Sequence, residues 1–174
     1  MKLFYLFPTE LEAKAFRELS PRSEVVISGV GMVATAATVA RLVGRGELTA
    51  EDIVVLAGIA GAYGESVAVG SVVEVVEECC AELPERFQER YRVAPRTSLR
   101  PVVSNTVHGK DVAQGVAEIE NMEGAALFAL AQEYGFGVAE IRAISNRVGE
   151  EFACWHVREA VEALAHELSN LKFE

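Results

Sequence analysis

Short apolar runs alternate with helix-patterned segments along the chain. Leu3–Phe7 is a continuous apolar and aromatic run closed by Pro8, the pattern of a buried strand. Thr9-Glu10-Leu11-Glu12 then fits a capping box and opens a helix, with Leu11, Ala15 and Leu19 expected on its apolar face. Glu24–Ser28 reads as a second strand. Gly29-Val30-Gly31 turns the chain into a helix over Met32–Val43, whose Ala34, Ala36, Ala37 and Ala40 permit close packing on a sheet. Asp52–Ala57 is a third strand, apolar on both faces and expected to end at Gly58-Ile59-Ala60-Gly61. Gly70–Val76 is β-branched and strand-like, while Glu77–Arg100 mixes Pro, Arg and Glu and yields no definite element. Pro101–Ser104 is a further strand, followed by a polar loop from Asn105 to Asp111. Met122–Tyr134 is helical, Val138–Ser145 a strand, and Trp155–Leu171 a long helix. In that last helix Val157, Val161, Leu164, Leu168 and Leu171 keep the spacing of one buried face.

This alternation predicts an α/β fold: a three-layer αβα sandwich with a mixed, largely parallel central sheet, as a single domain over residues 1–174. In such folds ligands sit beyond the carboxyl ends of the strands. The loops to watch are therefore those around Pro8–Glu12, Gly29–Gly31, Gly58–Gly61, Asn121–Gly124 and Ser145–Gly149.

Charge narrows the partners. With 16 Lys and Arg against 26 Asp and Glu, the net charge of -10 argues against a nucleic-acid backbone as partner. No apolar run approaches the roughly 20 residues of a membrane span, and the N-terminal run is too short for a signal peptide. The three cysteines include an adjacent pair, Cys79-Cys80, and form no Cys-x-x-Cys spacing; the histidines His108, His156 and His166 are scattered. A reduced, cytoplasmic chain without a metal is expected.

Several loops carry candidate chemistry. Gly29-Val30-Gly31-Met32-Val33-Ala34 matches Gly-x-Gly-x-x-Ala, but it follows the second strand; a tight turn with close helix packing, or backbone N–H groups facing a ribose, phosphate or water, are the readings it allows. Glu12 could close the capping box or act as a base. Glu123 lies at a strand-to-helix junction, where the helix dipole favours an acid. Asn146 ends the last strand, and its amide offers both a donor and an acceptor to a purine edge.

Asn121-Met122-Glu123-Gly124-Ala125-Ala126, followed by Ile141-Arg142-Ala143-Ile144-Ser145-Asn146, resembles the purine nucleoside phosphorylase/nucleosidase superfamily, and Ser28–Gly31 and Ala57–Gly61 stand where that superfamily has its glycine-rich turns. The nearest branches are futalosine hydrolase and methylthioadenosine/S-adenosylhomocysteine nucleosidase. The resemblance implies hydrolysis of a purine N-glycosidic bond without cofactor or metal, the partners being a small nucleoside, water and a second copy in a homodimer or higher homo-oligomer. It makes Glu12 the water-activating carboxylate, Met122 and Glu123 the ribose-binding pair, and Asn146 the group at purine N7. Asn121, Gly58, Ile59, Ala60, Ser145 and Arg147 would complete the substrate site.

Asn146 is a departure, because the adenine-specific branch carries Asp there. A neutral amide can donate to N7 or O6 of a 6-oxopurine, where a carboxylate would be repelled. That favours futalosine, cleaved to hypoxanthine and dehypoxanthine futalosine in menaquinone biosynthesis, over methylthioadenosine or S-adenosylhomocysteine. Arg147, His108 and Lys110 are candidates to receive the benzoate of futalosine, or are solvated surface groups; Phe152 and Trp155 could cover its ring or pack the last helix. A non-catalytic nucleoside-binding module is the alternative from another class.

Overall fold

Alternate residues of one twisted sheet feed two separate apolar layers. The computed structural model describes residues 1–109 and 112–173. Its strands are β1 (Leu3–Phe7), β2 (Glu24–Ile27), β3 (Ile53–Ala62), β4 (Val72–Cys80), β5 (Arg90–Arg92), β6 (Pro101–Thr106), β7 (Ile119–Asn121) and β8 (Gly137–Arg147). The helices are α1 (Glu10–Leu19), α2 (Met32–Gly44), α3 (Gly124–Tyr134) and α4 (Val157–Asn170). Strand β1 runs parallel between β2 and β3, and β3 runs parallel to β8. Strand β4 is antiparallel to β8 and β5 and parallel to β6, which in turn is parallel to β7. Strand β7 returns antiparallel to the end of β3, so β3, β8, β4, β6 and β7 close into a ring. The sheet is mixed, as expected.

Tyr5, Phe7, Val55 and Ile141 face one side and pack with Phe16 of α1 and Leu164 and Leu168 of α4. Phe4, Leu6, Val54 and Leu56 face the other and pack with Val39 and Leu42 of α2 and Leu127 and Phe128 of α3. The three-layer sandwich is therefore present, and the period-2 alternation of β1 and β3 builds both cores at once.

Helix α1 turns a different face inward from the one expected. Glu12, Ala13 and Phe16 are buried, whereas Leu11 and Leu19 are 65% and 57% exposed. The Phe16 ring lies 4.5 Å from that of Tyr5 and 5.7 Å from that of Phe7, and this aromatic contact sets the phase of the helix. Three strands also run further than expected: β3 continues through Gly58–Gly61 to Ala62, β4 reaches the cysteine pair, and β8 reaches Arg147. The glycines do not stop β3, because its ladder to β8 continues past them with one register shift at Ala60/Gly61. Strand β6 runs on through Asn105 and Thr106, into the polar stretch that the pattern reads as loop. The short strands β5 and β7 had no signal in the pattern. Phe16→Ala is expected to cost about 3–5 kcal/mol in urea unfolding, and Leu11→Ala to stay within about 0.5 kcal/mol of the parent.

Candidate active site

The C-terminal edge of the sheet gathers charge around one guanidinium. Thr9 caps α1: its Oγ1 accepts from the Glu12 N–H (3.2 Å) and donates to Glu12 Oε2 (2.6 Å). Glu12 Oε1 leaves the helix and accepts the Ile59 N–H of β3 (3.0 Å). The first turn of α1 is thus a cap that also aims a carboxylate at the neighbouring strand. Gly58 makes room for it, since a Cβ there would meet Arg142 Nη1 at 2.6 Å and Glu12 Oε1 at 2.9 Å. Burial pushes the Glu12 carboxyl above the ordinary glutamate range; the bonds from Thr9 and Ile59 and the charge of Arg142 oppose this, and the nearby Glu123 adds to it.

Glu123 sits at the head of α3 and reaches across to α2. Its Oε1 accepts the Gly31 N–H (2.9 Å), and its Oε2 pairs with Arg142 Nη2 (3.2 Å). Arg142 is 1% exposed, in the middle of β8. It donates to Glu140 Oε1 (2.8 Å) through Nε and to Asn121 Oδ1 (2.9 Å) through Nη2. Burial alone would lower its pKa, but Glu140 and Glu123 hold it above the usual arginine value. Asn121 Oδ1 also accepts the N–H groups of Glu123 and Gly124 (both 2.8 Å), which fixes the start of α3. Glu12, Glu123, Asn121, Gly58 and Ile59 are therefore brought to one place.

The glycine turn before α2 has a defined use. Gly29 and Gly31 adopt φ of 85° and 91°, a region costly for other residues, and a Cβ on Gly29 would stand 3.0 Å from that of Ala34. The freed N–H groups at the start of α2 face protein acceptors, Gly31 to Glu123 and Met32 to His108 Nε2 (3.2 Å). His108 is held in turn by Glu82 through Nδ1 (3.0 Å).

Other expected residues have different settings. Asn146 is the last but one residue of β8 and is buried; its Nδ2 donates to the Arg147 carbonyl (2.9 Å) and its Oδ1 accepts from Ser145 Oγ (2.7 Å). Ser145 Oγ also lies 3.4 Å from the Ala60 carbonyl. Met122 is exposed, next to Glu123 in the chain. The Arg147 guanidinium is committed to the carbonyls of Gly64 and Val67, so it does not stand free to receive a substrate carboxylate. Lys110 lies outside the described residues. Phe152 is 72% exposed, with its ring 5.1 Å from that of Trp155. Cys79 is buried, Cys80 part-buried and Cys154 exposed, all with free thiols.

Sequence reading passed over Arg142, Glu140 and Glu78. For Glu140 and Arg142 the signal was there: a charged residue inside a strand flanked by Ala and Ile must be paired, because an isolated buried charge is too costly; Glu78, between Glu77 and Cys79, carried no such signal. No group of three or more His, Cys, Asp or Glu side chains able to hold a metal occurs among the described residues, and no helix among them is long and apolar enough to cross a membrane.

Two helix layers lie on this mixed sheet, with carboxylates from α1 and from the head of α3 gathered around one guanidinium, and comparison with known proteins bears out the resemblance to the nucleoside phosphorylase/nucleosidase superfamily. The Phosphorylase superfamily model matches residues 97–171. A futalosine hydrolase of Thermus thermophilus is 29% identical over 97% of this chain and 94% of its own. The fold is shared with a futalosine hydrolase mutant of Helicobacter pylori (TM-score 0.79, 16% identity, 97% of this chain and 96% of that one). It is shared equally with the 5'-methylthioadenosine/S-adenosylhomocysteine nucleosidase of Helicobacter pylori (TM-score 0.80, 15% identity, 98% and 97% covered).

Burial of Glu12 has a titration consequence. Its carboxyl should take up a proton above the ordinary glutamate value of about 4.3 as pH falls, read as the carboxyl 13C signal that Glu12→Gln removes.

Proposed function

We propose that this protein is a nucleosidase that hydrolyses the N-glycosidic bond of a purine nucleoside, with futalosine as substrate and hypoxanthine as the released base. The observation that carries the reading is the convergence of Glu12 and Glu123, from elements distant in sequence, on Arg142 at the carboxyl end of the sheet. Cleavage of such a bond builds positive charge on the sugar and negative charge on the leaving base. Glu12, made more basic by burial and oriented by Thr9 and Ile59, would take the proton of an attacking water. Glu123, anchored by Gly31 and Arg142, would accept hydrogen bonds from the ribose hydroxyls and favour the cationic ring. Met122 would lie against the sugar, and Asn146 would face the base. To read N7 or O6, the Asn146 amide must exchange its Arg147 carbonyl contact for the purine.

Hydrolysis is favoured over phosphorolysis by the turn before α2. Its N–H groups at Gly31 and Met32, which would otherwise suit an anion, are occupied by Glu123 and His108. Futalosine is favoured over methylthioadenosine and S-adenosylhomocysteine by the amide at Asn146 and by the Thermus thermophilus relative. A mere binding module would have no need of a buried carboxylate with raised basicity. The exposed Leu11, Val30, Val33, Met122 and Phe152 belong to segments at this same edge of the sheet. They support the homo-oligomer that the resemblance implies, with a second copy covering apolar surface.

Incubation with futalosine, inosine and methylthioadenosine, with chromatography of the free base, should show hypoxanthine from futalosine as the dominant product. Adenine release alone would transfer the assignment to the adenine-specific branch. Glu12→Gln should lower kcat by about 10²-fold or more with KM little changed. Asn146→Asp should move the preference from 6-oxo toward 6-amino purines, since unpaired groups in a buried site cost about 1–3 kcal/mol.

A further inference from the structure

Behind the proposed ribose-binding glutamate lies a second pair of acids that the chemistry above leaves unused. Glu78 on β4 and Glu140 on β8 are both fully buried. They press on the same point of the backbone: a Cβ on Gly124 would meet Glu78 Oε1 at 2.3 Å and Glu140 Oε2 at 2.6 Å. Glu78 accepts from Thr106 Oγ1 (2.7 Å) and from Asn121 Nδ2. Glu140 Oε1 accepts Arg142 Nε (2.8 Å), but no N–H or hydroxyl among the described residues donates to the buried Glu140 Oε2. A bare carboxylate oxygen facing another carboxylate in a dry interior is costly, and a proton between the two removes that cost.

The pair is wired to Glu123 by two routes. Asn121 donates to Glu78 while its Oδ1 holds the N–H of Glu123. Arg142 joins Glu140 and Glu123 through one planar guanidinium. The charged groups facing the pair are Arg142 on β8, Glu123 at the head of α3 and, through Arg142, Glu12 on α1; Ser104, Thr106 and Asn121 supply neutral contacts from β6 and β7. Burial first, and mutual repulsion with Glu140, hold Glu78 far above the ordinary glutamate range, while Arg142 opposes the rise at Glu140.

We propose that Glu78 and Glu140 hold one shared proton and act as positioning residues, setting through Arg142 and Asn121 how Glu123 is presented to the ribose. The positioning role rests on the nucleosidase reading; the shared proton does not. A single net negative charge on the pair balances Arg142 and leaves Glu123 as an anion for the sugar hydroxyls.

The test uses the full chain. Infrared difference spectra of the wild type near neutral pH should show the carbonyl stretch of a buried protonated carboxyl, lost in E140Q and in E78Q. Its absence from the wild type overturns the shared proton. In E140Q the amide N–H can replace that proton and the amide oxygen can still accept Arg142 Nε. Its kcat and KM should stay within about threefold of the parent and its pH profile should keep its shape. E140L removes both contacts. It should lower kcat about tenfold to a hundredfold, raise KM for the nucleoside, and shift the acid limb of the profile, with E140Q as the rescuing variant. Parent-like kcat, KM and pH profile in E140L overturn the positioning role. So does a loss in E140Q as large as in E140L. Should the wild type release no base from any purine nucleoside, the nucleosidase reading and the positioning role fall together, while the infrared band still decides the proton.

Discussion

The guanidinium of Arg142 is the interaction on which the rest of the site depends. It is buried in a strand, where a lone cation would be untenable, and it is tolerable only because Glu140 and Glu123 bind it directly and Glu12 and Glu78 lie within range of its charge. The dependence is mutual. Without Arg142, four acids from four different elements would crowd an interior that can accept hardly one. Elements β8, α3, α1 and β4 are thereby committed to a common geometry, and their carboxylates are held in fixed positions around one cation.

Absent side chains matter as much as the charges. Gly58 lets Glu12 and Arg142 approach the backbone of β3, and Gly124 lets Glu78 and Glu140 meet at the head of α3. Both glycines lie where four charged groups need the volume of a missing Cβ. The same economy operates at Gly29 and Gly31, where the unusual backbone turns N–H groups toward Glu123 and His108.

Much of this was legible in the sequence. Alternating apolar runs gave the order of the longer strands and all four helices, because burial on both faces leaves a continuous apolar signature. The ordered motifs around Gly29, Gly58, Glu123 and Asn146 all come to the carboxyl-end edge of the sheet. What escaped had physical causes. The face of α1 depends on Phe16 meeting Tyr5 and Phe7, a tertiary contact that outweighs the local placement of leucines. Glycines in β3 read as a stop, although two neighbouring strands hold the ladder through them. Strand β7 is three residues long and exists only because β3 and β6 flank it. Arg147 looked available for a ligand, yet carbonyls far along the chain claim it.

That last contact has a mechanical consequence. Arg147 follows Asn146 directly and staples the end of β8 to the segment that carries Gly64 and Val67. The peptide bearing the Asn146 amide therefore inherits its placement from the bend over residues 64–67. Lengthening or stiffening that bend would shift the end of β8, and the Asn146 amide with it, without altering any residue of the strand itself.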